Sequence, residues 1–202
     1  TKVSANDLAP WVNEFCESWV ENEVERSALK KVGIYSHVCP SFMGNVNDYE
    51  VNFVPNKKFY ASVSGDNFEL YGWDHIRIMA QNHPEAEFHL YGNTKPWYHA
   101  GNPNQYGIYP RLSKNIIVHG RVSKEYMNEE IKQMQGGIRP LEFDGFSEIL
   151  AKSVLWGQWP VSFIEYPHIP QTIENHAGPN LAGREYYLKN LNNYPWNDKK
   201  AG

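Results

Sequence analysis

The chain has 202 residues, 19 Lys and Arg against 23 Asp and Glu, a formal net charge of -4 and 41% hydrophobic residues. That length holds one well-packed core with residues left over for linkers and tails, and that balance excludes a disordered chain. Lys and Arg are scattered rather than massed, which argues against nucleic acid, and no apolar run approaches the roughly 18 residues of a membrane span.

The first residues lack a basic flank followed by an apolar stretch, so the expectation is a soluble, cytoplasmic protein, peripheral to a membrane at most in its full length. Cys16 and Cys39 have no metal-ligand spacing, and a scaffold of this size needs no staple, so both read as reduced thiols. Aromatic content is 14%, with seven Trp and thirteen Tyr. Aromatics suit carbohydrate surfaces, but they fill ordinary cores more often.

Leu8, Trp11, Val12, Phe15, Trp19 and Val20 recur at helical spacing, which predicts one or two helices between Asp7 and Lys31, with Ser4 or Asp7 as the cap. Gly33 stops the pattern. The stretch from Ile34 to Asn56 mixes Pro40, Pro55, Gly44 and several Asn with short apolar pieces, as a linker would. Beyond it, strands at Phe59–Ser64, Ala86–Tyr91, Asn115–His119, Gly137–Pro140 and Pro160–Ile164 alternate with helices at Gly72–Asn82, Ser123–Gln135 and Phe146–Trp156. Parallel neighbours need crossover connections, so this alternation predicts an α/β fold with a doubly wound, Rossmann-like parallel sheet. Asn93 to Ser113, rich in Asn, Pro, Gly and Tyr, reads as a long loop near a site. The tail is expected to carry one helix around Arg184–Leu191. The domain reading is a helical lead-in and linker over residues 1–56, the Rossmann-like domain over 57–170 and a tail over 171–202.

Ligands of open α/β sheets bind outside the carboxyl ends of the strands, which singles out the loops beginning at Gly65, Gly92, Gly120 and Pro140. Glycines there let a backbone approach a nucleotide and its phosphates, although turn geometry alone explains most glycines after strands. The fourth loop passes from strand to helix at Asp144-Gly145-Phe146-Ser147, where free N–H groups and the positive helix end can meet a diphosphate. Asp144 can accept sugar hydroxyls or cap the helix, and the sequence leaves both open. Arg139 either contacts phosphate or pairs with Glu142 or Glu148. Arg121 is solvated or touches ligand. Each histidine reads as core or surface rather than as a metal ligand, with His119 alone at a strand end facing the site.

The run from Arg139 through Asp144-Gly145-Phe146-Ser147 to Gly157-Gln158-Trp159-Pro160-Val161 resembles the donor-site signature of retaining GT-B glycosyltransferases: an acid, a Gly-Phe-Gly variant, a second spaced acid and Gly-x-Pro-Val. Asn115 to Tyr126 resembles the strand, glycine and helix that flank the base, Ser64 to Asp74 the first loop, and Val24 to Asn56 the lead-in to the second domain. The resemblance spans roughly residues 20–170.

It implies the second half of a GT-B fold, binding a nucleotide-diphosphate sugar for transfer with retention to an acceptor held by an N-terminal domain outside this chain. Asp144 would be the catalytic-site acid. Gly65, Gly92, Gly120, Arg121, Val122, Arg139, Gly145, Phe146, Ser147 and Lys152 would bind the donor. No metal or cofactor beyond the sugar nucleotide is expected, since no Asp-x-Asp pair is present.

Three positions depart from the pattern. Asp66 stands where an Arg follows the first glycine, Tyr71 where a Lys precedes the second, and Lys152 where the second acid belongs. A carboxylate near a diphosphate costs binding energy unless a cation intervenes. These departures motivate a second reading, a degenerate domain serving as a binding or assembly module. A nucleotide-sugar epimerase on the same fold is the third.

Overall fold

The computed structural model describes residues 4–39, 45–64, 70–93, 113–141, 144–166, 169 and 178–192. The chain divides into two units, one of residues 1–44, 144–146 and 188–202, the other of residues 45–143 and 147–187.

The larger unit is built on a parallel sheet of β3 (Lys58–Ser64), β4 (Glu87–Asn93), β5 (Ile116–Gly120), β6 (Gly136–Arg139) and β7 (Val161–Ser162) in the order β5-β4-β3-β6-β7. Side chains alternate across a strand, so each strand supplies two faces. Ala61, Val63, Phe88, Leu90, Ile116 and Ile138 point to one face, where Trp73, Ile76 and Ala80 of α3 (Trp73–Asn82) close a core. Ile76 and Ala80 are fully buried. Burying a side chain the size of Ile76 is worth about 1.5–3 kcal/mol.

The opposite face carries α4 (Lys124–Ile131) and α5 (Glu148–Leu155). The Tyr91 hydroxyl donates to Glu130 of α4 at 3.2 Å, and the Gly137 N–H donates to Ser153 Oγ of α5 at 3.1 Å. Tyr60, fully buried, donates to Gln158 Oε1 at 2.8 Å, and the Gln158 amide donates to the Ile131 carbonyl at 2.8 Å. The buried Tyr60 and Gln158 side chains thereby find partners, as burial requires. The tail helix, α6 (Leu181–Asn192), is tied back by Arg184, which donates to the carbonyls of Leu155 and Tyr49. The strand and helix pattern is thus the doubly wound one the alternation predicts, with the helix after Ser123 shorter than expected.

The smaller unit corrects the expectation of helices followed by a linker. Helix α1 (Ala5–Phe15), closed by a Ser4–Asp7 capping box, and α2 (Glu23–Lys31), capped by Asn22, are separated by a strand, β1 (Ser18–Val20). A second strand, β2 (Ser36–Val38), lies inside the expected linker and pairs parallel with β1, Trp19 opposite His37. Pairing across a crossover helix is non-local, and three-residue strands are too short to show alternation. The periodicity of Trp19 and Val20 therefore read as helix. Cys16 and Cys39 are free thiols. Among the described residues no helix is long and apolar enough to cross a membrane.

Candidate functional site

Within the larger unit, the carboxyl ends of β3 and β6 meet the start of α3. Gly72, with φ 73°, is the N-cap of α3 and has no side chain to cap its first turn. A Cβ at Gly72 would collide with the carbonyl oxygen of Pro140 and approach its ring carbons to 2.6 and 2.8 Å. Only glycine allows this contact, both for its φ and for its lack of Cβ. The consequence is positional: with Gly72 locked against Pro140, the adjacent residues Tyr71 and Arg139 are neighbours. The Arg139 guanidinium lies over the Tyr71 ring, 5.2 Å from its centroid. A cation therefore stands beside the residue that replaces the expected lysine, and the aromatic face holds it there.

The first-turn N–H groups of α3 add the positive end of a helix dipole. Asp74 in that turn is matched by Arg77 at 3.4 Å. The His75 ring packs on Phe163 just past β7, 4.6 Å between centroids. Gly65 and Asp66 lie outside the described residues, as do residues 94–112 of the loop expected from Asn93 to Ser113.

The other glycines have local reasons. Gly92, φ 118°, ends β4 so close to β3 that a Cβ would strike the Val63 carbonyl. Gly120, φ 75°, follows a register shift between Leu90 and Tyr91 and ends β5. Arg121 and Val122 follow it on the surface, ahead of the Ser123 cap of α4.

In α5 the capping residue is Ser147, 1% exposed, whose Oγ accepts from the Leu150 N–H at 3.3 Å. Lys152, 4% exposed, is held inside the unit by Glu148 at 3.0 Å and Asn128 at 3.1 Å. Burying an ammonium is costly without such partners. Glu148 also faces Lys124 at 3.8 Å. Burial and the Glu148 and Asp48 carboxylates push the Tyr49 hydroxyl up to about 12.

The turn Asp144–Phe146 belongs to the smaller unit and has a different character. The Gly145 N–H donates to Asp144 Oδ1 at 3.1 Å, and the Gly145 carbonyl accepts from the Asn22 amide at 3.0 Å. Two carboxylates crowd the Gly145 Cα: a Cβ there would collide with Glu21 and sit 2.8 Å from Glu25 Oε1. Phe146 is buried. Asp144 is half-buried and does not cap α5, the role taken by Ser147.

The structure therefore brings Tyr71, Gly72, Arg139 and Pro140 together, and separately brings Glu21, Asn22 and Glu25 to Gly145. Sequence reading missed the second group. Asn22 before an acidic first turn is a recognisable helix cap, but nothing local ties it to a turn 123 residues away.

No protein-family model matches the chain, and no curated protein sequence matches it. Solved structures do. Anabaena HepE, solved in complex with UDP-glucose, is 12% identical with a TM-score of 0.57 over 92% of this chain and 58% of its own. S. aureus TarM is 14% identical, TM-score 0.57, over 93% and 38%. The sucrose-phosphate synthase of Thermosynechococcus elongatus is 13% identical, TM-score 0.54, over 71% and 39%. The chain spans 58% of HepE and less of the other two. Parallel sheet, flanking helices and these likenesses together give the chain the fold of a GT-B C-terminal domain, the Rossmann-like half.

Proposed function

We propose that this chain is the donor-binding half of a glycosyltransferase that moves a glycosyl group from a nucleotide-diphosphate sugar to an acceptor with retention. Its structural neighbours include proteins solved with UDP or a UDP-sugar. The observation that carries the reading is Arg139 over Tyr71 at the start of α3. The expected lysine is absent from the sequence, yet a cation stands at the same edge of the sheet, beside a helix N-terminus whose N-cap is a glycine.

In this reading the diphosphate is the leaving group, and the domain orients it and offsets its growing negative charge. Arg139 and the α3 N–H groups supply that offset without a metal ion. Asp144 accepts sugar hydroxyls, and Gly120 to Val122 approach the base. An acceptor-binding domain completes the enzyme. Calorimetric titration of the chain with UDP, GDP and their sugar conjugates tests the reading: one nucleotide binds saturably, and Arg139→Gln weakens it. Absence of binding by a folded chain would favour the assembly-module reading, which the Glu21 and Glu25 carboxylates beside Gly145 motivate. In the complete enzyme, Asp144→Ala lowers turnover more than about tenfold if the acid holds the sugar; unchanged turnover removes it from that role.

A further inference from the structure

At the other end of the sheet, beside the amino-terminal start of β3 and under α4, lies a cavity of about 350 Å³ whose lining includes Lys58, His89, Tyr126, Glu129, Glu130, Gln133 and Met134. Its volume is that of a small-ligand site, and the donor reading does not use it. Three of its lining residues, Lys58, His89 and Glu130, belong to a ladder of titratable side chains that runs on across the sheet. Lys58 meets Glu87 at 3.0 Å, Glu87 meets His89 Nε2 at 3.2 Å, and His89 Nδ1 lies 2.9 Å from His119 Nε2. His119 faces Glu130 at 3.7 Å and stacks on Tyr91, which also donates to Glu130. Both imidazoles are driven below the usual histidine range by burial, so both are neutral near pH 7.

The wall decides the class of ligand. An anion meets Glu129 and Glu130, while the lysine of the lining, Lys58, already faces Glu87. A cation meets that same lysine. An apolar ligand would strip water from carboxylates, an ammonium and an amide without replacing it. A neutral polyhydroxyl ligand offers donors to Glu129 and Glu130 and acceptors to Lys58 and Gln133, with the half-exposed Tyr126 ring as a flat wall for its C–H face.

We propose that this cavity is a second binding site, for a single neutral pyranose unit, at the end of the sheet opposite the donor edge. It stands on the cavity and its wall and does not depend on the donor reading.

The test follows the His89 and His119 ring proton signals of the whole chain by NMR during titration with methyl glucopyranoside, sodium acetate and methylammonium chloride. The pyranoside moves both signals saturably, with half-saturation on the order of 1 mM. Tyr126→Ala weakens the response about fivefold. Gln133→Trp, which adds bulk at an exposed rim position, abolishes it, while Arg139→Gln leaves it in place. A UDP titration of the same sample reports on the donor edge separately, so either site can fail alone. An unmoved pair of histidine signals in a folded sample overturns the proposal, as does an equal response to acetate or methylammonium, or a pyranoside response that survives Gln133→Trp.

Discussion

Two backbone turns compete for the description of an anion site, and the described side chains around them differ. At the start of α3, Gly72 packs on Pro140 and Arg139 lies over Tyr71. At Gly145 the local N–H is already taken by Asp144, and Glu21 and Glu25 press on the Cα. The resemblance pointed first to the Gly145 turn, because a strand-to-helix passage with glycine offers N–H groups to phosphate. What a turn can bind depends on the charges folded around it, and those come from distant residues. Among the described residues, the α3 start has an arginine beside it, and the Gly145 turn, within its own unit, has two glutamates.

The largest expected effect tests whether the positive turn is built as argued. Gly72→Ala places a Cβ against the Pro140 carbonyl and demands a left-handed backbone from alanine, at a combined cost of about 2–4 kcal/mol. Chemical denaturation of the two proteins measures it, and a loss below about 1 kcal/mol would show that the Gly72–Pro140 contact does not hold the edge together. Next comes the charge itself. Arg139→Gln removes a cation and its charge-assisted hydrogen bonds, so nucleotide affinity falls about tenfold or more, equivalent to about 1.5–3 kcal/mol. Unchanged affinity would move the diphosphate away from Tyr71 and reverse the comparison.

Why the comparison was not legible in the sequence follows from particular residues. The sheet was legible because β3, β4 and β5 are compact β-rich runs bounded by Gly, Pro and Asn, and α3, α4 and α5 carry apolar periods; these are local signals. Strands β1 and β2 were not, since each has three residues and its meaning lies in pairing with the other. Tyr71 read as the loss of a cation because a sequence position was compared with a family pattern. What the sequence did not show is that Arg139, a phosphate candidate 68 residues later, lies over that same Tyr71 ring through the Gly72–Pro140 contact. Lys152 read as a compensating cation at the ligand edge, but its charge is engaged by Glu148 and Asn128 within the unit. The His89–His119 pair escaped notice for the same reason: adjacent strands and a bulge at Leu90/Tyr91 set its register.

A smaller effect sharpens the negative turn. Glu21→Gln with Glu25→Gln removes two charges beside Gly145 and keeps the hydrogen-bonding shape. If the Asp144–Phe146 turn faces the diphosphate, nucleotide affinity rises about two- to fivefold, a change of about 0.4–1 kcal/mol for partly exposed charges. If it faces elsewhere, affinity is flat, and the α3 start alone carries the phosphate.

The smallest effect is a pH dependence that separates stability from binding. His89 and His119 are held below the unperturbed histidine value, mainly by burial, so the unfolded chain binds more protons than the native one as pH falls. The sign follows: stability is full above about pH 6.5, where both states are neutral at these rings, and declines as the pH drops through the unfolded value toward the lowered native ones. His119→Asn flattens that decline by removing one of the coupled rings. Arginine stays charged throughout, and a UDP-sugar carries no ionisation in this range, so affinity carried by Arg139 is level between pH 5.5 and 8 while the protein remains folded. Denaturation curves and UDP-glucose titrations across that range measure the two slopes side by side. A binding slope that tracks the stability slope would place a histidine, and not Arg139, in charge of the phosphate.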